Sequence, residues 1–270
     1  MDLAYDDVGS GPVVLLVHAG IADRRMWRHQ VPALSERHRV IAVDERCHGD
    51  SPWAAERTPH ADLLGLMDHL GIDQAAAVGC SNGGRTIVDA ALAAPSRFDR
   101  LALIAAGLSG FAMRPSWLEL WQDRVYGSLG PERLAAYRGG ADLTDAEAER
   151  IAVLQTRMLV AGPDRDETAL APDVWELAVD MALREIRTPE SDEVLLEPPA
   201  VGRLHELTMP VLVLSGDADV PEILDMSRAY ATGIPGARHV RIPATGHLPP
   251  LERPDEVNAA LLAFLGDAES

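Results

Sequence analysis

Short apolar runs at residues 13–17, 40–43, 75–78, 101–105 and 211–214, with a further strand expected at 239–242, are the feature that most limits what this chain can become. Each is too short for a helix, and amphipathic stretches at helical spacing separate them. The nearly unbroken apolar runs fit strands buried on both faces, as in a parallel sheet with crossover helices on either side. The expected fold class is therefore α/β: a mostly parallel central sheet of seven or eight strands flanked by helices. A weaker alternation at residues 3–7, closed by Gly9-Ser10-Gly11-Pro12, adds a further strand.

The rhythm breaks between residues 109 and 207. No strand run occurs there, while helical patterns cover residues 115–126, 131–138, 145–160 and 172–186. Thr144 and Glu147 have capping-box spacing, and Gly139-Gly140 interrupts the chain just before them. The division expected is a core of residues 1–108 and 208–270 and a helical cap, or lid, of residues 109–207. Within the core, one helix carries Trp27, Val31 and Leu34, a second covers residues 61–70 and stops at Gly71, and a last one covers residues 255–265.

The run at residues 75–78 leads directly into Gly79-Cys80-Ser81-Asn82-Gly83-Gly84 and then into a helical repeat of Ile87, Val88, Ala91 and Leu92. Strand, Gly-x-Ser-x-Gly and helix in that order form a nucleophile elbow, which lifts a serine hydroxyl above the sheet. A serine hydroxyl is a poor nucleophile in neutral water, so Ser81 needs an imidazole base and a carboxylate to hold that base in one tautomer. Both are expected after later strands, acid first. The strand at 211–214 is followed by Ser215-Gly216-Asp217-Ala218-Asp219, and the strand ending at Ile242 by Thr245-Gly246-His247. Among nine histidines, His247 alone occupies a glycine-preceded loop after the last strand. Asp219 is the expected acid, because Asp217 follows the strand so closely that it suits the turn itself. The expected oxyanion donors are the backbone N–H groups of Asn82 and of Gly20, with His18 bracing the turn before Gly20.

Composition removes several alternatives. All 24 basic residues are arginine against 42 acids, for a net charge of −18. Without lysine there is no Schiff-base chemistry, and a surface so negative repels nucleic acid and anionic membranes. The apolar runs are too short to span a bilayer, and the first residues lack the basic and apolar regions of a secretion signal. Two cysteines, Cys47 and Cys80, make no disulfide framework and suit a reducing, cytoplasmic setting. Both are expected to be small buried residues. The expected partner is a small-molecule substrate, with no cofactor and no metal.

Together, Leu15 to Gly20 with Met26-Trp27, Asp44 to Ser51, Gly79 to Gly84, and Gly216 to Pro221 with Gly246-His247 resemble the α/β-hydrolase superfamily along essentially the whole chain, in particular its serine esterase and enol-lactonase-like branch. The resemblance implies an eight-stranded sheet, a helical cap after the sixth strand, no cofactor, and a Ser81, Asp219, His247 triad. Three departures stand out. Ala19 replaces the second residue of the usual His-Gly, which suggests a slightly altered oxyanion turn. Cys47 replaces a glycine, with an expected effect on packing only. The chain also begins within what matches the second strand, so one edge strand is expected to be missing.

Serine at the elbow argues against the dehalogenase and epoxide hydrolase branches, which use aspartate there. The chemistry expected is hydrolysis of a carboxylic ester or lactone, with C–C bond hydrolysis of a diketone, perhydrolysis or slow-turnover binding as alternatives. Trp117, Trp121, Tyr126, Met158 and Trp175 are candidates to line a partly apolar substrate pocket under the cap, where Arg124 and Arg157 leave room for an anionic group.

Overall fold

The computed structural model describes residues 2–266. Its main sheet is formed by β1 (Tyr5–Gly9), β2 (Val13–Val17), β3 (Arg39–Val43), β5 (Ala75–Cys80), β6 (Phe98–Ile104), β8 (Val211–Gly216) and β9 (Arg238–Ile242). These seven strands lie in the order β1-β3-β2-β5-β6-β8-β9. Only β1 runs antiparallel, pairing Tyr5 with Val43 at the sheet edge, and the other six are parallel. Two residue pairs, β4 (Glu56–Arg57) and β7 (Asp192–Glu193), form a separate parallel ladder.

Strand side chains alternate between two hydrophobic clusters, one on each face of the sheet. Leu15, Val17, Ile41 and Val43 enter the first, and Val14, Leu16, Val40 and Ala42 the second. Fully burying one such aliphatic side chain contributes about 1.5–3 kcal/mol, so polar substitution is penalised on either face. The first cluster is covered by α2 (Pro59–His69), α3 (Asn82–Ala93) and α8 (Pro221–Gly233). The second is covered by α1 (Gln30–Ser35), α9 (Pro249–Glu252) and α10 (Pro254–Gly266).

Between β6 and β8 the chain forms α4 (Pro115–Trp121), α5 (Pro131–Arg138), α6 (Asp145–Thr156) and α7 (Pro172–Arg187). The expected capping box is present: Thr144 Oγ1 accepts from Glu147 N–H, and the Glu147 carboxylate accepts from Thr144 N–H. Two helices end in π-helical turns, Gln122–Tyr126 and Arg157–Ala161. The insertion is not free of strand, because β7 lies within it. A two-residue strand has no hydrophobic run to announce it.

Other details differ from the sequence-based expectations. The stretch holding Trp27, Val31 and Leu34 is not one helix: Asp23 caps a 3₁₀ turn at Arg24–Trp27, and α1 starts afresh at Gln30, with Pro32 in its first turn. Helix α8 has no counterpart among those expectations, although Pro221 at its start and the buried Ile223, Met226 and Tyr230 carry a helical signal. Cys47 has φ +70°, a left-handed conformation that favours glycine, so replacing the usual glycine loads the backbone as well as altering packing. Its Sγ accepts from Ala54 N–H at 3.4 Å, which ties down the strained loop.

Candidate active site

Ser81 stands between β5 and α3 with φ +52° and ψ −117°, a conformation that costs a non-glycine residue about 1–3 kcal/mol. Its neighbours leave no alternative. A Cβ on Gly79 would lie 2.4 Å from Gly83 O, and one on Gly83 would lie 2.3 Å from Val17 O. The tight turn holds the serine at the carboxyl end of the sheet, ahead of the positive end of α3.

The loops after β8 and β9 bring two further groups together. His247 Nδ1 lies 2.9 Å from Asp219 Oδ2 and 3.2 Å from Oδ1, and both residues are buried. Asp219 Oδ1 also accepts the N–H of Val220 at 2.7 Å, which fixes the carboxylate plane. Asp217 serves the turn instead, where its Oδ1 accepts the N–H of Ala244 at 2.7 Å and joins the acid loop to the histidine loop.

The histidine loop meets the elbow through Cys80, whose Sγ is 3.7 Å from His247 O. Cys80 is fully buried, and burial, followed by the Asp219 charge, pushes its thiol well above the ordinary range. It is an inert packing group, while the adjacent serine has the exposed side of the turn. Among the described residues, no hydrogen bond joins Ser81 Oγ to His247 Nε2. Hydrogen bonds of this kind often tighten only once substrate is bound.

The turn after β2, which holds Gly20, is held from behind. His18 Nε2 accepts the N–H of Glu45 at 2.9 Å, which leaves the proton on Nδ1 to be donated to Ala19 O at 2.8 Å. Ala19 O and Gly20 N–H belong to one planar peptide and point in opposite directions, so a donor on the first aims the second away from it. Glu45 also accepts from Thr86 Oγ1 of α3 at 2.7 Å, so turn and elbow helix share one buried link. Neither Gly20 N–H nor Asn82 N–H has a partner within the protein among the described residues. Ala19 needs no left-handed backbone, so its methyl group is accommodated in the buried turn.

The loop from Asp44 to Ser51 explains its own composition. Buried Asp44 accepts the N–H groups of Arg24 at 2.7 Å and Asp50 at 2.9 Å and pairs with the Arg24 guanidinium. His48, in the same loop, faces Gly20 O through Nε2 at 3.0 Å. Burial, and then the nearby His18, hold the His48 imidazole below its ordinary range.

Gly20 and Asn82 form part of the wall of a cavity of about 260 Å³ that is otherwise lined by Cys47, Pro189 and polar groups, among them His48, Arg57, Glu185, Glu190 and Ser191. Two of its lining residues are tied to neighbouring chain: Arg57 belongs to the β4–β7 ladder, and Pro189 O accepts from Trp53 Nε1 at 3.1 Å. Glu193 on β7 pairs with Arg57 at 3.5 Å and with Arg85 of the elbow helix. The five cap residues named from sequence lie elsewhere. Trp117 and Met158 are buried in the first hydrophobic cluster, Trp121 and Tyr126 pack against it, and Trp175 packs against the second. Arg124 donates to Pro163 O at 2.9 Å, and Arg157 pairs with Glu167 at 2.8 Å. The polar residues of the β4–β7 ladder escape sequence reading, because nothing local links residues 57 and 193.

Comparison with known proteins agrees with this architecture. Residues 12–254 match the family model described as alpha/beta hydrolase fold. The chain is 28% identical to a thermophilic esterase from Thermogutta terrifontis, with a TM-score of 0.74 over 99% of this chain and 94% of that one. It is 28% identical to the enol-lactonase from Burkholderia xenovorans LB400, with a TM-score of 0.69 over 98% and 96%. It is also 26% identical to the carboxylesterase YbfK of Bacillus subtilis, over 94% of this chain and 80% of that protein. The chain belongs to the α/β-hydrolase family. Among the described residues, no helix is long and apolar enough to cross a membrane, and no cluster of three or more His, Cys, Asp or Glu side chains could hold a metal ion.

Proposed function

We propose that this protein is a cofactor-independent serine hydrolase that cleaves a carboxylic ester or lactone of a small substrate through an acyl-enzyme on Ser81. The observation that carries the reading is the buried Asp219–His247 pair, with Nδ1 and Oδ2 2.9 Å apart, on a loop that touches the residue before the elbow serine.

In this reading Asp219 holds the proton of His247 on Nδ1, which leaves Nε2 free to accept from Ser81 Oγ. The serine oxygen attacks the carbonyl carbon as its proton passes to His247. The negative oxygen of the tetrahedral intermediate takes hydrogen bonds from Gly20 N–H and Asn82 N–H. His247 then returns the proton to the departing alkoxide, and water, activated by the same imidazole, releases the acid. Residues 109–207 act as the cap. The polar cavity beside Gly20 and Asn82, walled on one side by residues 185–191 of the insertion, receives the oxygen-rich end of the substrate.

The test compares wild type with Ser81→Ala on p-nitrophenyl acetate, butyrate and octanoate, simple lactones and a diketone. Saturable ester or lactone turnover that the substitution lowers by at least about 10³-fold is expected. Binding without turnover, or turnover confined to the diketone, contradicts the assignment.

A further inference from the structure

The histidine loop is gripped by the insertion at several points. His247 N–H donates to Leu159 O at 3.2 Å, and a Cβ on Gly246 would lie 2.1 Å from Val160 O. On the acid loop, a Cβ on Gly162 would lie 2.2 Å from Ala218 O. The segment from Leu159 to Gly162 is thus wedged against both loops that supply the proposed base and acid. Two side chains complete the join. Glu252 on α9 has a side chain only 5% exposed, and its Oε1 accepts the N–H of Gly246 at 2.7 Å. Its Oε2 lies 3.0 Å from Arg165 Nη2. Arg165 Nη1 donates to Ala244 O at 2.7 Å, and its Nε donates to Ala161 O. One guanidinium therefore ties the insertion to both the loop and the carboxylate that holds the residue before His247.

We propose that Glu252 and Arg165 are positioning residues for His247: they form a latch between the insertion and the histidine loop, closed while Glu252 is ionised and loosened when it takes up a proton. The inference rests on the hydrolase reading for its link to turnover, though the latch itself is a structural statement. An ionised carboxylate accepts from both Gly246 N–H and Arg165. A protonated one turns an O–H toward one of those donors and loses that bond.

The surroundings bring the change into the neutral range. Burial pushes Glu252 up to about 7, against the opposing pull of Arg165 and of the Gly246 N–H. The other charged or titratable groups facing it are Arg253, the next residue on its own chain, and Arg28, His29 and Asp173 across a cleft of about 300 Å³. Arg28 and Asp173 pair with each other, and burial, with Arg28 second, lowers His29. Among the described residues, Arg165 is the charged side chain that hydrogen-bonds Glu252 directly.

The test follows kcat from pH 5.5 to 9 for wild type, Glu252→Gln, Arg165→Met, Arg165→Lys and the Glu252→Gln/Arg165→Met double variant, on an ester that wild type hydrolyses. At pH 8.5 the Gln variant is expected to lose roughly 10- to 100-fold in kcat with little change in KM, since a displaced base costs that much. The gap should narrow to roughly two- to tenfold at pH 6 and further below it, as wild type is itself protonated. Arg165→Met should match it, the double variant should be no worse, and Arg165→Lys should recover most of the loss. Hydrogen exchange provides an activity-free arm: protection of the peptide covering residues 243–249 should fall in wild type from pH 8 to pH 6 and stay constant in Glu252→Gln. A constant activity ratio across pH, additive single effects or pH-independent protection overturns the latch. Turnover that survives Ser81→Ala would sink the hydrolase reading instead, and the exchange arm would still decide the latch. Should Glu252→Gln fail to fold, the two Arg165 variants decide by the same criteria.

Discussion

Gly20 and Asn82, from the turn after β2 and the start of α3, approach so closely that a Cβ on Gly20 would lie 2.3 Å from Asn82 Nδ2. Two segments 62 positions apart in the chain are pressed together at the point where their backbone N–H groups are both without a protein partner among the described residues. The contact fixes the spacing of the proposed oxyanion donors.

Gly20→Ala should therefore impair catalysis more than folding. The atom in the way is the far end of the Asn82 side chain, which can rotate aside, yet the turn must shift to admit a methyl group. We expect kcat to fall by roughly 10²- to 10³-fold, the cost of losing one oxyanion donor, while the melting temperature moves by only a few degrees. Unchanged kcat would separate Gly20 from the reacting carbonyl.

The two aspartates of the loop after β8 should respond in opposite measure. Asp219→Asn replaces the acceptor that holds the His247 tautomer and should lower kcat by roughly 10³- to 10⁴-fold. Asp217→Asn keeps an oxygen for the N–H of Ala244 and should cost less than about tenfold. Steady-state rates of both variants on one ester check the assignment, and the reverse order would transfer the acid role to Asp217.

Asp89 provides a pH test outside the site. It is buried on α3 and accepts a hydrogen bond from Ser109 Oγ at 2.6 Å, while Ser109 Oγ accepts the N–H of Ala200. Burial raises its carboxyl above the ordinary aspartate value, against the opposing effects of Ser109 and Arg85. A raised acid binds more protons folded than unfolded, so its contribution is complete below the unfolded value and is lost as pH rises through the folded one. Relative to Asp89→Asn, wild type should lose stability as pH climbs from about 4 towards neutrality. Urea unfolding across that range measures it; parallel curves would contradict the shift.

Much of this architecture can be read from the chain, for definite physical reasons. The doubly buried strands advertise themselves because both their faces must be apolar, and the Ser81 elbow because only glycine fits at positions 79 and 83. Chain order also points to the loops after β8 and β9, and the structure pairs Asp219 of one with His247 of the other. The lining of the polar cavity is harder. Aromatic and methionine spacing in α4 to α7 reports burial, and burial is where the structure puts Trp117 and Met158, among core residues rather than on the polar cavity. The cavity wall includes Arg57, Glu185 and Ser191, from β4, from α7 and from the residue before β7, and the ladder of two residues per strand that joins β4 to β7 is one that no periodicity can reveal. The Arg165–Glu252 join is hidden for the same reason, since its members are 87 residues apart and share only an ion pair.

The most direct test of the central claim is to trap the covalent intermediate. Wild type mixed with a slowly deacylating p-nitrophenyl ester should release a burst of nitrophenolate matching the enzyme concentration, and peptide mass analysis should find the acyl group on Ser81 alone. Acylation elsewhere, or full turnover with no adduct in wild type and undiminished rate in Ser81→Ala, would contradict the account.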